Sequence, residues 1–161
     1  MAPPPAIDRF LAISCTNVGV GPGGTTNLVA RVAIVDYRGT TVFDKYVRPT
    51  TTVTDYRTAS TGLTEAHLYS ADAWQFGMIQ TYLSNLFRGK ILVGHSLWHD
   101  LAVLGLPHPA VDTRDVALYQ LENARAALDL YRSDADAWEA AISNGNWPCA
   151  LPPSTFSRCY I

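Results

Sequence analysis

Charge is scarce in this chain, and neither sign dominates. Asp, Glu, Lys and Arg make up 16% of the 161 residues, with 12 basic side chains against 14 acidic ones. A surface that grips many phosphates usually carries a visible basic excess, so any nucleic-acid contact has to come from local clustering. Cysteine is sparse too. Cys15, Cys149 and Cys159 lack the density of a secreted disulfide scaffold; Cys15 is expected to pack as a small apolar side chain, and a bridge between the other two would need an oxidising setting. The longest apolar run falls short of the roughly 20 residues that span a bilayer. The opening Met-Ala-Pro-Pro-Pro has no basic stretch ahead of an apolar core. The expectation is an intracellular chain with no membrane partner, and nothing chooses between nucleus, nucleolus and cytoplasm.

What is present is enough for one folded domain: 48% of the residues are hydrophobic, and this length buries a core without staples. Residues 1–8 are Pro-rich and read as a flexible lead-in, residues 9–142 as the domain, and residues 143–161 as a tail without helical or strand period. In residues 10–21, FLAISCTNVGVG, side chains alternate. Leu11, Ile13, Cys15 and Asn17 fall on one face of a strand and Ala12, Ser14, Thr16 and Val18 on the other. Residues 28–37 and 40–48 read as two further strands of an antiparallel meander, followed by a Thr-rich loop to Thr54. A helix is predicted over 71–87, with Phe76, Ile79, Leu83 and Leu86 inward and Trp74 joining them. A short apolar strand over 91–93 leads to a second helix with Ser96 as N-cap. Val111 to Thr113 suits a last strand, and a long helix over 121–142 places Leu121, Ala124, Leu128, Tyr131 and Trp138 toward the core. The order predicts an α/β domain with a mixed sheet covered by helices.

Several of these segments resemble, in order, the DEDDh 3′–5′ RNA exonucleases, in the eukaryotic branch of ribosome-biogenesis and interferon-stimulated enzymes. The carriers are LAISCTNVGVG, ARVAIVDY, FDKYVRP, VTDYRTASTGL, ILVGHSLWHDL, DTRDV and ENARAALDLYR, which cover most of residues 10 to 132. The resemblance implies a ribonuclease H-like fold and a site where carboxylates hold Mg²⁺ or Mn²⁺ beside a general-base His. Carried over position by position, the first two acidic places hold Ser14 and Thr16, the third keeps Asp100, the fourth holds Asn123, and the base position holds Leu118. The segment that delivers the base in the family is replaced by the short Tyr119-Gln120-Leu121 connection.

Hard cations need charged oxygen ligands, so this reading expects a degenerate member: no intact catalytic set, no cofactor, and a structural or protein-interaction module inside a larger assembly. Two alternatives accompany it. One is RNA binding without cleavage, through Arg48, Tyr56, Arg57 and Trp98, with Lys90 and Arg114 adding to a basic rim and aromatic rings stacking on bases. The other is an active nuclease built around Asp100 with Mg²⁺ or Mn²⁺. Asp112 and Asp115 are expected to pair with Arg114 or to cap.

Overall fold

A computed structural model describes residues 3–117 and 124–144. Its strands are β1 Phe10–Val20, β2 Thr26–Asp36, β3 Thr41–Arg48, β4 Val53–Asp55, β5 Trp74–Gln75, β6 Ile91–Gly94 and β7 Thr113–Asp115. Its helices are α1 Thr58–Thr61, α2 Glu65–Leu68, α3 Phe76–Leu86, α4 Leu97–Leu104 and α5 Ala124–Ser143. The strands form one sheet in the order β5-β3-β2-β1-β6-β7, with β4 pairing the far end of β1. β1, β2 and β3 form the antiparallel meander that the alternation predicts, while β6 and β7 run parallel to β1 and to each other.

Helices cover both faces because the apolar residues of β1 face both ways. Leu11 and Ile13 pack with Ile79 and Leu83 from α3, Phe87 just beyond it, and Leu97 and Leu104 from α4. Phe10 and Ala12 pack on the opposite side with Leu128, Tyr131 and Trp138 from α5. A smaller cluster of Val18, Ala30, Leu63 and Leu68 closes the hairpin end. The 3.6-residue period thus placed Ile79, Leu83, Leu128, Tyr131 and Trp138 inward as expected, with Trp74, Phe76 and Leu86 partly buried; Leu121 and the Ala124 side chain lie outside the described residues, and not every boundary holds. The segment read as a loop to Thr54 supplies β4, and α3 starts at Phe76 because Trp74 and Gln75 pair with Val47 and Arg48 of β3. The lead-in is placed from Pro3 onward, with a short turn at Ile7–Arg9 held by Arg9 bonding to Gly89 O (3.0 Å) and Asp112 (3.2 Å).

β1 is longer than either neighbour on its outer side. β6 pairs only with Phe10, Leu11 and Ala12, and β4 only with Gly19 and Val20. Between these contacts the edge of β1 is open, and Ser14, Cys15, Thr16 and Asn17 are half-buried where the rest of the strand is buried. The hairpin end beyond is fastened tightly. Arg57 donates to Asn27 Oδ1 (2.8 Å) and Gly24 O (3.0 Å), and Thr54 Oγ1 donates to Gly21 O (2.9 Å). A Cβ at Gly19 would lie 2.4 Å from Gly24 O, which neither backbone can yield cheaply. Gly19→Ala is therefore expected to cost about 1–3 kcal/mol, measurable by urea unfolding.

Candidate functional site

The open edge of β1 is a notch, and α4 enters it. Asp100, in the first turn of α4, is buried, and its carboxylate lies close enough to the Cys15 amide and thiol to interact with both. It lies beside the part of β1 that β6 stops short of pairing. Burial, above all, pushes the Asp100 carboxyl up to about 7; the nearby Asp115 charge adds to the shift, and the Cys15 hydrogen bonds oppose it. Burial, then the Asp100 charge, raises the Cys15 thiol well above its ordinary value and keeps it protonated.

Helix α4 is aimed at the notch from outside itself. Ser96 sits in the left-handed region (φ 51°) and makes no side-chain cap. Asp115, at the end of β7, replaces it, its carboxylate accepting from the N–H groups of Ser96 (2.8 Å), Leu97 (2.8 Å) and Ala117 (2.9 Å). Burial raises the Asp115 carboxyl even so, against those three N–H groups and the nearby His95. Asp115 does cap, then, although not its own helix, and Asp112 bonds Arg9 rather than Arg114.

Ser14 and Thr16 project together beside the notch, as their i, i+2 spacing predicts. Their cross-strand neighbours are Ala33 and Arg31. Arg31 forks onto Asp44 of β3 through Nε (2.7 Å) and Nη2 (2.6 Å), and that hydrogen bond chiefly lowers the Asp44 carboxyl. Among the described residues, no hydrogen bond engages the Ser14 or Thr16 hydroxyl. The Asn17 amide oxygen, at the next position, is buried without a partner.

The four residues expected at an RNA surface are held by different elements. Trp98 lies in the first turn of α4, half-buried and packed on His99 with ring centroids 3.3 Å apart, close to Asp100 in sequence. Tyr56 packs against the hairpin cluster, Arg57 is engaged in the hairpin clamp, and Arg48 bonds Ser70 O at 3.3 Å. Arg114 does not join a rim. It is buried under α5 and paired with Glu139, while Lys90 bonds Asp8 O. Leu118 and Asn123, with Cys149, Cys159 and the tail from 145 onward, lie outside the described residues.

Neither hydroxyl brings negative charge, and Asp100 is buried beside Cys15. Among the described residues, no three His, Cys, Asp or Glu side chains are grouped to hold a metal ion. A pair of divalent cations needs several charged oxygens, so the described residues do not fit such a pair. Sequence reasoning found the Ser14 and Thr16 face but missed the Cys15–Asp100 contact. The signal was there: a cysteine between two outward hydroxyls, facing the helix that carries Asp100.

The fold just described is that of known exonuclease modules. The apo Pan2 pseudoubiquitin hydrolase–RNA exonuclease module of Saccharomyces cerevisiae superposes with a TM-score of 0.70 at 21% identity, over 86% of this chain and 30% of that one. The Pan2 catalytic unit of Neurospora crassa gives 0.68 at 20%, over 88% and 28%. In sequence, the chain is 46% identical over 113 residues to RNA exonuclease 4 of Neurospora crassa, covering 70% of this chain and 27% of that protein. It is 42% identical over 129 residues to the Homo sapiens protein of that name, covering 77% and 30%. The alignment with the Mus musculus protein, 33% identical, has 178 positions and covers 91% of this chain and 41% of its relative. No family model matches the chain. Sequence and fold together support a DEDD-type exonuclease family, and the catalytic degeneracy expected from the sequence is not among the properties they show. The chain spans well under half the length of these curated relatives.

Proposed function

We propose that this chain is an RNA-acting domain of the exonuclease type, which seats a single strand of RNA across the notch between β1 and α4. The observation that carries this is the identity, up to 46%, with proteins named RNA exonucleases. In support, a Pan2 exonuclease module of the same fold was solved with AAGGAA RNA. The inactive structural or protein-interaction module expected from Ser14 and Thr16 is overturned by those relatives: they are named as enzymes, and nothing in the fold marks this chain as a non-enzyme. A protein partner has no support, whereas RNA does. The relatives also imply metal-dependent chemistry, so the expectation of no cofactor loses its footing. Because the described donors do not fit the cation pair, no hydrolytic step is routed through them.

The geometry suits a strand of RNA in modest ways. Trp98, half-buried, and His99, exposed, stand in the first turn of α4, where aromatic rings can meet bases, and Arg31, cross-strand from Thr16, has its charge balanced by Asp44. With no basic excess, few phosphates are neutralised. Single-stranded RNA is expected to bind with a salt slope of only about −1 to −2 on logarithmic axes. Fluorescence anisotropy of a labelled RNA between low and physiological salt measures it, and absence of binding at low salt would refute the proposal. A denaturing gel of the same RNA with Mg²⁺ or Mn²⁺ reads cleavage. Shortening from the 3′ end that disappears in Asp100→Ala would locate hydrolysis in this notch.

A further inference from the structure

We infer that the floor made by Ser14 and Thr16 holds an RNA phosphate directly, through hydroxyl hydrogen bonds, with no divalent cation between them. The inference rests on the RNA reading above and adds how the strand is held.

Three observations lead to it. First, Ser14 and Thr16 stand two residues apart on one face, half-buried, with hydroxyls that no described residue engages. Two adjacent O–H donors suit the non-bridging oxygens of one phosphodiester. Second, the charges around them are already balanced or turned away. Arg31, cross-strand from Thr16, is forked onto Asp44, and Asp100 faces the Cys15 amide and thiol. Third, the donor set among the described residues does not fit a cation pair. A floor of carboxylates repels a phosphate and needs cations to bring the two together. A floor of hydroxyls has no such repulsion to overcome, so the cation is unnecessary for binding.

The inference separates metal dependence of binding from metal dependence of any chemistry. Anisotropy of a labelled single-stranded RNA is measured in EDTA and in millimolar MgCl₂ at matched ionic strength. The expected result is the same affinity within about twofold in both. Ser14→Ala with Thr16→Ala, which keeps the fold and removes both donors, should weaken binding about tenfold in both buffers, the size of two charge-assisted hydrogen bonds partly compensated by water. Ser14→Asp with Thr16→Glu should weaken binding about tenfold or more in EDTA and recover in Mg²⁺. Circular dichroism and thermal melting check that each variant is folded, and a misfolded pair is replaced by its single substitutions. Binding by the unaltered chain that vanishes in EDTA would overturn this inference and leave the RNA reading standing. Unchanged affinity in the alanine variant would also overturn it. No binding in either buffer would remove both.

Discussion

Replacing Arg114 by alanine is expected to lower the unfolding free energy by about 3–5 kcal/mol, the largest single loss in this fold. The side chain is 2% exposed. Its Nε and Nη2 donate to the Glu139 carboxylate of α5 (3.0 and 3.2 Å), and its Nη1 donates to the carbonyls of Val111 (2.9 Å) and Thr113 (3.0 Å). Tyr131 completes the group, its hydroxyl donating to Glu139 at 2.7 Å. Burial first, and then that hydrogen bond, raises the Tyr131 hydroxyl and keeps it protonated. Alanine would leave a carboxylate 14% exposed without its cation, and two carbonyls without donors. For a domain of this size the melting temperature should drop by about 10 °C. Arg114→Met combined with Glu139→Leu should recover most of the loss, since removing both charges also removes their desolvation cost. If Arg114→Ala melts within a degree or two of the unaltered chain, the buried pair does not tie α5 to the sheet.

Asp100→Asn is expected to act in the opposite direction, increasingly so as pH rises from 4 to 7. An ordinary aspartate releases its proton near 3.8, whereas Asp100 keeps it up to about 7. Between those values the folded chain binds a proton that the unfolded chain does not, so this group's contribution to stability falls as pH rises. The contribution is full below pH 4 and gone above 7, where folding has to bury the charge. Asparagine fills the same buried place without a charge, so the variant should gain on the order of 2–4 kcal/mol at pH 8 and almost nothing near pH 4. His108 runs the other way: burial lowers its imidazole, which favours folding as pH rises. For that reason the difference between variant and unaltered chain, followed by chemical unfolding from pH 4 to 8, is the quantity to measure. A difference that stays flat across that range would refute the buried-carboxyl account.

The sequence revealed its sheet and helices where a period runs uninterrupted, as in β1, β2 and the inner face of α5. It hid the contacts that join distant segments. Arg114 looked like part of a basic rim because an arginine between two aspartates reads as surface, but the partner that buries it, Glu139, is 25 positions away. Ser96 looked like a cap by its position, yet the capping carboxylate comes from Asp115, 19 positions on. Arg57 looked available for RNA because its left-handed backbone (φ 51°) and its reach to Gly24 depend on how two loops meet. At the site, spacing alone put Ser14 and Thr16 side by side. What it could not reveal was that Cys15, between them, is the residue Asp100 reaches, because that depends on where β6 stops.

That early stop has a wider effect. Most of the central strand is held by hydrogen bonds from one backbone to another, which amino-acid substitution seldom alters. At Cys15 the open edge instead faces a side chain of α4, so one heritable change at Asp100 alters what the middle of the sheet lies against. Evolution can thus retune the working cleft by exchanging a single side chain, while the strands on either side keep their pairing.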